Sequence, residues 1–110
     1  NTNGYQVNVL INHSPTFNTE FAFETFSMDP ADGDTQYNSH FSVTSGSAVV
    51  AGQTIGTLYV PPTASGSHVH FGFYENGTAI CPSPRLESSA DSSILDILKV
   101  TYPTATANCY

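Results

Sequence analysis

Short runs in which apolar and polar residues alternate constrain the fold of this chain most strongly. In residues 5–11, YQVNVLI, an apolar residue recurs at every second position, and residues 17–23, FNTEFAF, show a similar alternation with Phe17, Thr19, Phe21 and Phe23 on one side. Alternate side chains of a β-strand share one face, so each run predicts a half-buried strand. Residues 12–16, NHSPT, contain a proline and indicate a turn. The two runs therefore predict an antiparallel hairpin.

A second hairpin is predicted further along the chain. Residues 68–75, HVHFGFYE, alternate in the same way and are followed by Asn76 and Gly77, a pair that favours a two-residue hairpin turn. Residues 78–81, TAIC, are expected to return as the partner strand. Between the two hairpins, residues 40–60 indicate further short strands separated by glycines.

One segment favours a helix. Residues 91–100, DSSILDILKV, have a stripe of apolar residues at helical spacing, with Asp91 or Ser92 as a candidate cap. The predicted stripe consists of Ile94, Leu95, Leu98 and Ile97. A strand is the alternative structure for this segment.

The acidic segment that follows the first hairpin predicts a loop. Residues 27–38, SMDPADGDTQYN, are rich in Pro, Gly and Asp, and they lack the spacing and the closing glutamate of a calcium loop. We therefore expect one all-β domain, residues 1–110, with an insertion loop at about residues 27–40 and a C-terminal tail at residues 87–110. The expected architecture is a small antiparallel sheet or sandwich with at most one short C-terminal helix.

Charge and cysteine content limit the partners and the compartment. The chain has two basic and nine acidic residues, a net charge of −7, so neither nucleic acid nor an anionic membrane surface is an expected partner. No apolar run approaches the roughly 20 residues of a membrane-spanning helix. Cys81 and Cys109, in a chain rich in Ser and Thr, indicate a secreted protein with one disulfide; two buried free thiols are the alternative. Asn12 and Asn76 begin sequons for N-glycosylation.

Two histidines stand one residue apart on the strand predicted at residues 68–75. His68 and His70 would share a face, about 7 Å apart along the strand, and Gly72 would leave space beside them. Such a pair can bind one metal ion, or one histidine can bind the ion while the other transfers protons. Zinc needs a third protein ligand, and the alternative is a polar pair on the solvent face of the strand.

The surroundings of this pair resemble a known family. Residues 43–56, VTSGSAVVAGQTIG, and residues 65–86, SGSHVHFGFYENGTAICPSPRL, resemble the C-terminal half of the lysostaphin-like zinc endopeptidases, which cleave glycyl-glycine bonds. Residues 4–23 resemble the hairpin that precedes this half in the family. The matching positions of the two motifs are Val43, Gly46, Val49, Ala51, Gly52, Gln53, Ile55, Gly56, Gly66, His68, His70, Phe71, Asn76, Gly77 and Pro82.

The resemblance implies a fold, a cofactor and two site residues. The fold would be the barrel-sandwich hybrid of that family, and the cofactor would be zinc. By resemblance, His70 would be a zinc ligand. His68 would assist peptide hydrolysis by stabilising or protonating the tetrahedral intermediate.

The chain also departs from the family pattern. The family has two other zinc ligands, a His and an Asp four residues apart. In the family they lie in a segment that precedes the region resembled here, which begins at residue 4 of this chain. The other catalytic histidine of the family falls on Phe23, which can neither bind a metal ion nor transfer a proton. About a dozen extra residues follow Phe23, and a second register within them, YNSHFSV, would place His40 in the catalytic position.

Carboxylates could in principle rebuild a metal site around the histidine pair. None of them has a diagnostic spacing from His68 and His70, and a compensating site stays an open alternative. The available residues are Glu24, Asp29, Asp32, Asp34 and Glu75.

These observations predict a secreted, degenerate lysostaphin-like domain without hydrolytic activity. It would bind a peptide or glycan strand, or act as a structural subunit that pairs with copies of itself through exposed strand edges. The alternative is an active zinc endopeptidase of Gly-rich or cell-wall peptides whose N-terminal ligand half is missing from this chain. In that case His68 and His40 would be catalytic and His70 would bind zinc.

Overall fold

The computed structural model describes residues 4–109. Over these residues the chain forms four strands and two α-helices, with one turn of 3₁₀-helix at Ser83–Arg85. The strands build one antiparallel sheet with the order β1-β2-β3-β4. The elements are β1 (Gln6–Asn12), β2 (Phe17–Glu24), α1 (Pro30–Ser39), β3 (His68–Glu75), β4 (Thr78–Ile80) and α2 (Ser88–Thr101).

The chain divides into two compact units. One comprises Asn1–Leu10 with Glu20–Phe71, and the other comprises Ile11–Thr19 with Gly72–Tyr110. The first unit contains α1 and the beginning of β3. The second contains β4, the 3₁₀ turn and α2.

The first predicted hairpin is confirmed to within a residue at each strand end. In β1 the alternation is visible in the burial, because Val7, Val9 and Ile11 are half-buried while their neighbours are exposed. In the connecting turn, the Ser14 hydroxyl accepts hydrogen bonds from the backbone N–H groups of Thr16 and Phe17, at 3.3 and 3.0 Å. The Ser14 side chain thus stabilises the turn, and serine is common in turns because its hydroxyl can bond to nearby backbone groups.

The second predicted hairpin is also confirmed. β3 has the predicted limits, and it pairs with β4 through Phe73 opposite Ile80 and Glu75 opposite Thr78. Asn76 and Gly77 both have positive φ, 51° and 75°, which a two-residue turn of type I′ requires.

The prediction of an acidic loop at residues 27–40 is wrong, because Pro30–Ser39 form helix α1. The residues that suggested a loop act as helix-start signals. The Asp29 carboxylate accepts from the Ala31 N–H at 3.0 Å, Pro30 occupies the first turn, and Asp32 is acidic in that turn. Together with the 14 residues of α2, this helix makes the chain a mixed structure rather than an all-β one.

The predicted C-terminal helix is confirmed and is longer than expected. Ile94, Leu95 and Leu98 are half-buried, whereas Ile97 is 73% exposed and lies outside the stripe. The helix starts after Glu87, so neither of the predicted caps is used. After α2 the chain continues to Cys109, which forms the predicted disulfide with Cys81.

The strands predicted within residues 40–60 are largely absent from the described structure. One antiparallel bridge joins Phe41 to Gly56, turns occupy residues 45–46 and 51–52, and most of the remainder is irregular. Gly56 is required at this bridge because a Cβ there would lie 2.5 Å from Cδ1 of Phe41 and 2.8 Å from the carbonyl oxygen of His40. The glycines therefore mark turns and a close approach rather than the ends of strands. Among residues 4–109, neither helix has the length and apolar character that a membrane span requires.

Candidate metal site

The two histidines of β3 share a face, as their spacing predicts. The ring centroids of His68 and His70 are 4.5 Å apart, with the planes inclined at 65°. The side chain of His68 is 37% exposed and that of His70 is 63% exposed. The pair is therefore accessible to a small solute from solvent.

Glu24 completes a three-residue cluster with this pair. It is the last residue of β2, the strand that neighbours β3 in the sheet, and its side chain is 7% exposed. Its Oε2 lies 3.0 Å from Nε2 of His68, and its Oε1 lies 3.3 Å from Nδ1 of His70. One potential ligand atom from each of the three residues lies within 4.8 Å of the others. The spacing of the carboxylates in the sequence did not indicate which of them lies beside the histidines. The pairing of β2 with β3 brings Glu24 to this position.

The tautomer of His68 follows from its contact with the backbone. Nδ1 of His68 is 2.6 Å from the carbonyl oxygen of Gly66. A carbonyl oxygen only accepts hydrogen bonds, so Nδ1 carries the hydrogen and donates it. In the neutral ring, Nε2 then presents a lone pair towards Oε2 of Glu24. This arrangement matches metal-binding histidines, whose second nitrogen commonly donates to a carbonyl or carboxylate.

One oxygen of the Glu24 carboxylate, Oε2, is not satisfied by hydrogen bonding. Oε2 is buried and has no hydrogen-bond partner among residues 4–109, although Nε2 of His68 is only 3.0 Å away. The distance would permit a hydrogen bond, but Nε2 of the neutral ring has no hydrogen to donate when Nδ1 carries it. Two acceptors that face each other at this distance repel, and a cation between them would remove the repulsion.

The two separations that join Glu24 to the histidines fit a small transition-metal ion. Nitrogen and oxygen ligands about 2.0–2.2 Å from a tetrahedral zinc ion are about 3.3–3.6 Å from one another. The separations of 3.0 and 3.3 Å between Glu24 and the two histidines are close to this range. Imidazole nitrogens suit zinc, copper, iron and nickel, and a carboxylate completes such a donor set. The donor set therefore selects this class of ions and does not single out zinc.

The other candidate site residues have different surroundings. Nδ1 of His40 lies 3.0 Å from the Thr57 hydroxyl oxygen, and the His40 ring packs against Tyr59 with centroids 5.2 Å apart. Phe23 is 5% exposed and meets Phe41 edge-on, with centroids 4.9 Å apart. Neither residue belongs to the ligand group found among residues 4–109.

Three of the other candidate carboxylates have structural partners. Asp29 caps α1, and Asp32 accepts a hydrogen bond of 2.5 Å from the Ser27 hydroxyl. Glu75 pairs with Arg85 at 3.1 Å. Glu24 differs from these because it is buried beside two histidines.

Comparison with known proteins identifies no relative that would assign a role to this site. Scans against protein-family models, curated proteins and solved structures find no match to the chain. The geometry of Glu24, His68 and His70 is therefore the basis on which a function is proposed.

Proposed function

We propose that this chain is a metal-binding module that holds one divalent transition-metal ion through Glu24, His68 and His70, without peptide-bond hydrolysis. Zinc is the expected ion. The observation that supports this most directly is the buried Oε2 of Glu24, which accepts no hydrogen bond within residues 4–109 and lies 3.0 Å from the nitrogen that the Gly66 contact leaves without a hydrogen in the neutral ring. The resemblance to the lysostaphin-like endopeptidases agrees with a zinc site at this pair, and we propose on this basis that the chain is a degenerate relative of that family.

Electrostatics favours a bound cation at this position. A carboxylate buried without a compensating hydrogen bond or counter-charge is destabilising by several kcal/mol. The side chain of Glu24 is 7% exposed, and its ion-pair contacts in the described structure are with His68 and His70, which carry a charge only when protonated. A divalent ion would neutralise the carboxylate and use both histidine lone pairs.

The proposed site leaves room for a further ligand. Three protein ligands leave the fourth tetrahedral position open, and the exposure of His70 gives access from solvent. A carbonyl or carboxylate oxygen of a peptide or glycan strand is the partner we propose for this position. The disulfide, which persists in oxidising compartments, supports a secreted location.

An active zinc endopeptidase is the second candidate. Two histidines and one glutamate with an open position form the ligand set of several catalytic zinc sites, and this favours the enzyme. Hydrolysis also needs a group that transfers protons beside the open position. In the proposed site His68 is a ligand, so it is not available for the assisting role that the resemblance implies. For this reason we propose a binding function rather than hydrolysis.

Zinc titration tests the proposed function. The purified chain, freed of metal with a chelator, is expected to bind about one zinc ion per chain by calorimetry and elemental analysis. Glu24→Gln keeps the shape of the side chain and removes its charge, and it should weaken binding on the order of 100-fold because one of three ligands is lost. His13→Ala, which removes a histidine from the β1–β2 turn, is the matched control and should bind as the wild type does. Equal zinc affinity in Glu24→Gln and wild type would refute the site.

A peptide assay separates binding from hydrolysis. The zinc-loaded chain is expected to leave a Gly-rich peptide intact in an overnight incubation followed by mass spectrometry, while an active lysostaphin-like endopeptidase cleaves the same peptide. Cleavage that requires zinc and is lost in His70→Ala would establish the enzyme instead.

A further inference from the structure

A bulge in the chain follows Glu24 directly. The Thr25 N–H donates to the carbonyl oxygen of Tyr5 at 3.2 Å, and the Tyr5 N–H donates to the carbonyl oxygen of Ser27 at 2.9 Å. In a regular antiparallel pair a single residue would exchange both of these bonds with Tyr5. Three residues therefore stand opposite one, and the middle residue, Phe26, is displaced from the ladder. Bulges of this kind bend a strand and redirect a side chain, often beside a functional site.

Phe26 has a backbone conformation that a bulky residue rarely adopts. Its φ is 57°, in the left-handed region where glycine is unstrained. The neighbours hold it there, since Thr25 is fully buried and its hydroxyl donates to the Tyr5 carbonyl oxygen at 2.9 Å. On the other side, the Ser27 hydroxyl donates to Asp32 and accepts from the Asp29 N–H. A strained residue persists only where its surroundings determine it in this way.

The strained backbone directs the phenyl ring at the metal site. The ring centroids of Phe26 and His68 are 5.2 Å apart, with the planes inclined at 50°. The same ring lies against Gly66, where a Cβ would be 3.5 Å from Cδ1 of Phe26. The Ser67 hydroxyl links the two segments by donating to the Thr25 carbonyl oxygen at 2.6 Å. Phe26 thus contacts both the His68 ring and the residue whose carbonyl oxygen accepts the His68 hydrogen.

We propose that Phe26 is a positioning residue that holds His68 in the orientation and tautomer that bind the metal ion. The proposal rests on the proposed function of the site. The phenyl ring restricts rotation of the imidazole and keeps Nδ1 directed at the Gly66 carbonyl oxygen, so Nε2 stays directed at Glu24. A ligand that is already oriented loses less conformational entropy on binding, which raises affinity. A glycine at position 26 would fit the backbone better, but it would lack the ring.

Phe26→Gly is therefore the informative substitution, with Asn76→Gly as its matched control. Asn76 is the other non-glycine residue with positive φ among residues 4–109, so both substitutions place a glycine at a position with positive φ, and the strain relieved is larger at Phe26 because asparagine tolerates this conformation better than phenylalanine. Only Phe26→Gly removes a ring from His68. We expect zinc affinity to fall about 10-fold in Phe26→Gly, as for the loss of other groups that orient a metal ligand. Asn76→Gly should retain wild-type affinity, and Phe26→Tyr, which keeps the ring, should be close to wild type.

A second measurement uses the metal-free protein. Long-range ¹H–¹⁵N correlation spectra, recorded where the imidazole is neutral, should show His68 hydrogenated at Nδ1 in the wild type and in Asn76→Gly. Phe26→Gly should show a mixture of both tautomers. Wild-type zinc affinity together with an unchanged tautomer in Phe26→Gly would overturn the positioning role. If the wild type binds no zinc, the proposed function fails, and the tautomer measurement alone tests whether Phe26 orients His68. A mixture of tautomers in Phe26→Gly would then support this role, and a tautomer unchanged from the wild type would overturn it.

Discussion

Replacing Cys81 and Cys109 together by serine is expected to lower the free energy of unfolding by about 3–4 kcal/mol. The two cysteines are 28 positions apart, and the chain-entropy estimate for a loop of this length gives a value in that range. Hydrogen bonds also anchor the tail in the folded state, since the Asn108 N–H donates to the Ser83 hydroxyl oxygen at 2.9 Å and its side-chain amide donates to Asp91. Most of the loss should therefore come from the greater freedom of the unfolded chain.

Urea denaturation measures this effect directly. The double variant should unfold at a lower urea concentration than the oxidised wild type, and the wild type should shift towards the variant on reduction. A reductant should leave the variant itself unchanged, which serves as the control. A loss below about 1 kcal/mol would mean that the disulfide adds little constraint beyond what the unfolded chain already has.

Zinc is expected to raise the stability of the folded chain. At a free zinc concentration of 100 times the dissociation constant, the free energy of unfolding should increase by about 2.7 kcal/mol, provided that the unfolded chain binds no zinc. For a domain of this size, that corresponds to a rise in melting temperature of roughly 10–20 °C. The physical cause is that β2 and β3 assemble the three ligands, so the ion binds the folded state alone.

Thermal melts followed by circular dichroism test this expectation. His68→Ala should show little or no increase with zinc, and His13→Ala should show the wild-type increase. Magnesium, a hard cation that prefers oxygen ligands in octahedral geometry, should not substitute for zinc. An equal zinc-induced rise in His68→Ala and wild type would place the binding elsewhere on the chain.

Local patterns in the sequence predicted much of the sheet. The alternation within residues 5–11, 17–23 and 68–75 led to strands at those places, because strand periodicity depends only on the geometry of neighbouring residues. Asn76 and Gly77 led to the second turn for the same reason. The resemblance to the lysostaphin-like family stays a prediction, and zinc analysis of the histidine pair is its nearest test.

The loop predicted at residues 27–40 was wrong because Asp and Pro are common both in loops and at the start of helices. Asp29 and Pro30 are common in loops, and they are equally suited to begin a helix, as they do in α1. The buried Gln36 secures that helix by donating to the carbonyl oxygen of Thr57 and accepting from the Tyr59 N–H. These partners are remote in sequence, so no local signal could have indicated that the segment would be held as a helix.

The sequence by itself determined that His68 and His70 share one face of a strand and that Cys81 and Cys109 can pair. Only the tertiary structure decided that Glu24 would be the third member of the cluster and that Phe26 would face His68. The physical reason is that the spacing of side chains within a strand is set by bond geometry. The contact between β2 and β3, and the bulge that turns Phe26, depend instead on how distant segments pair.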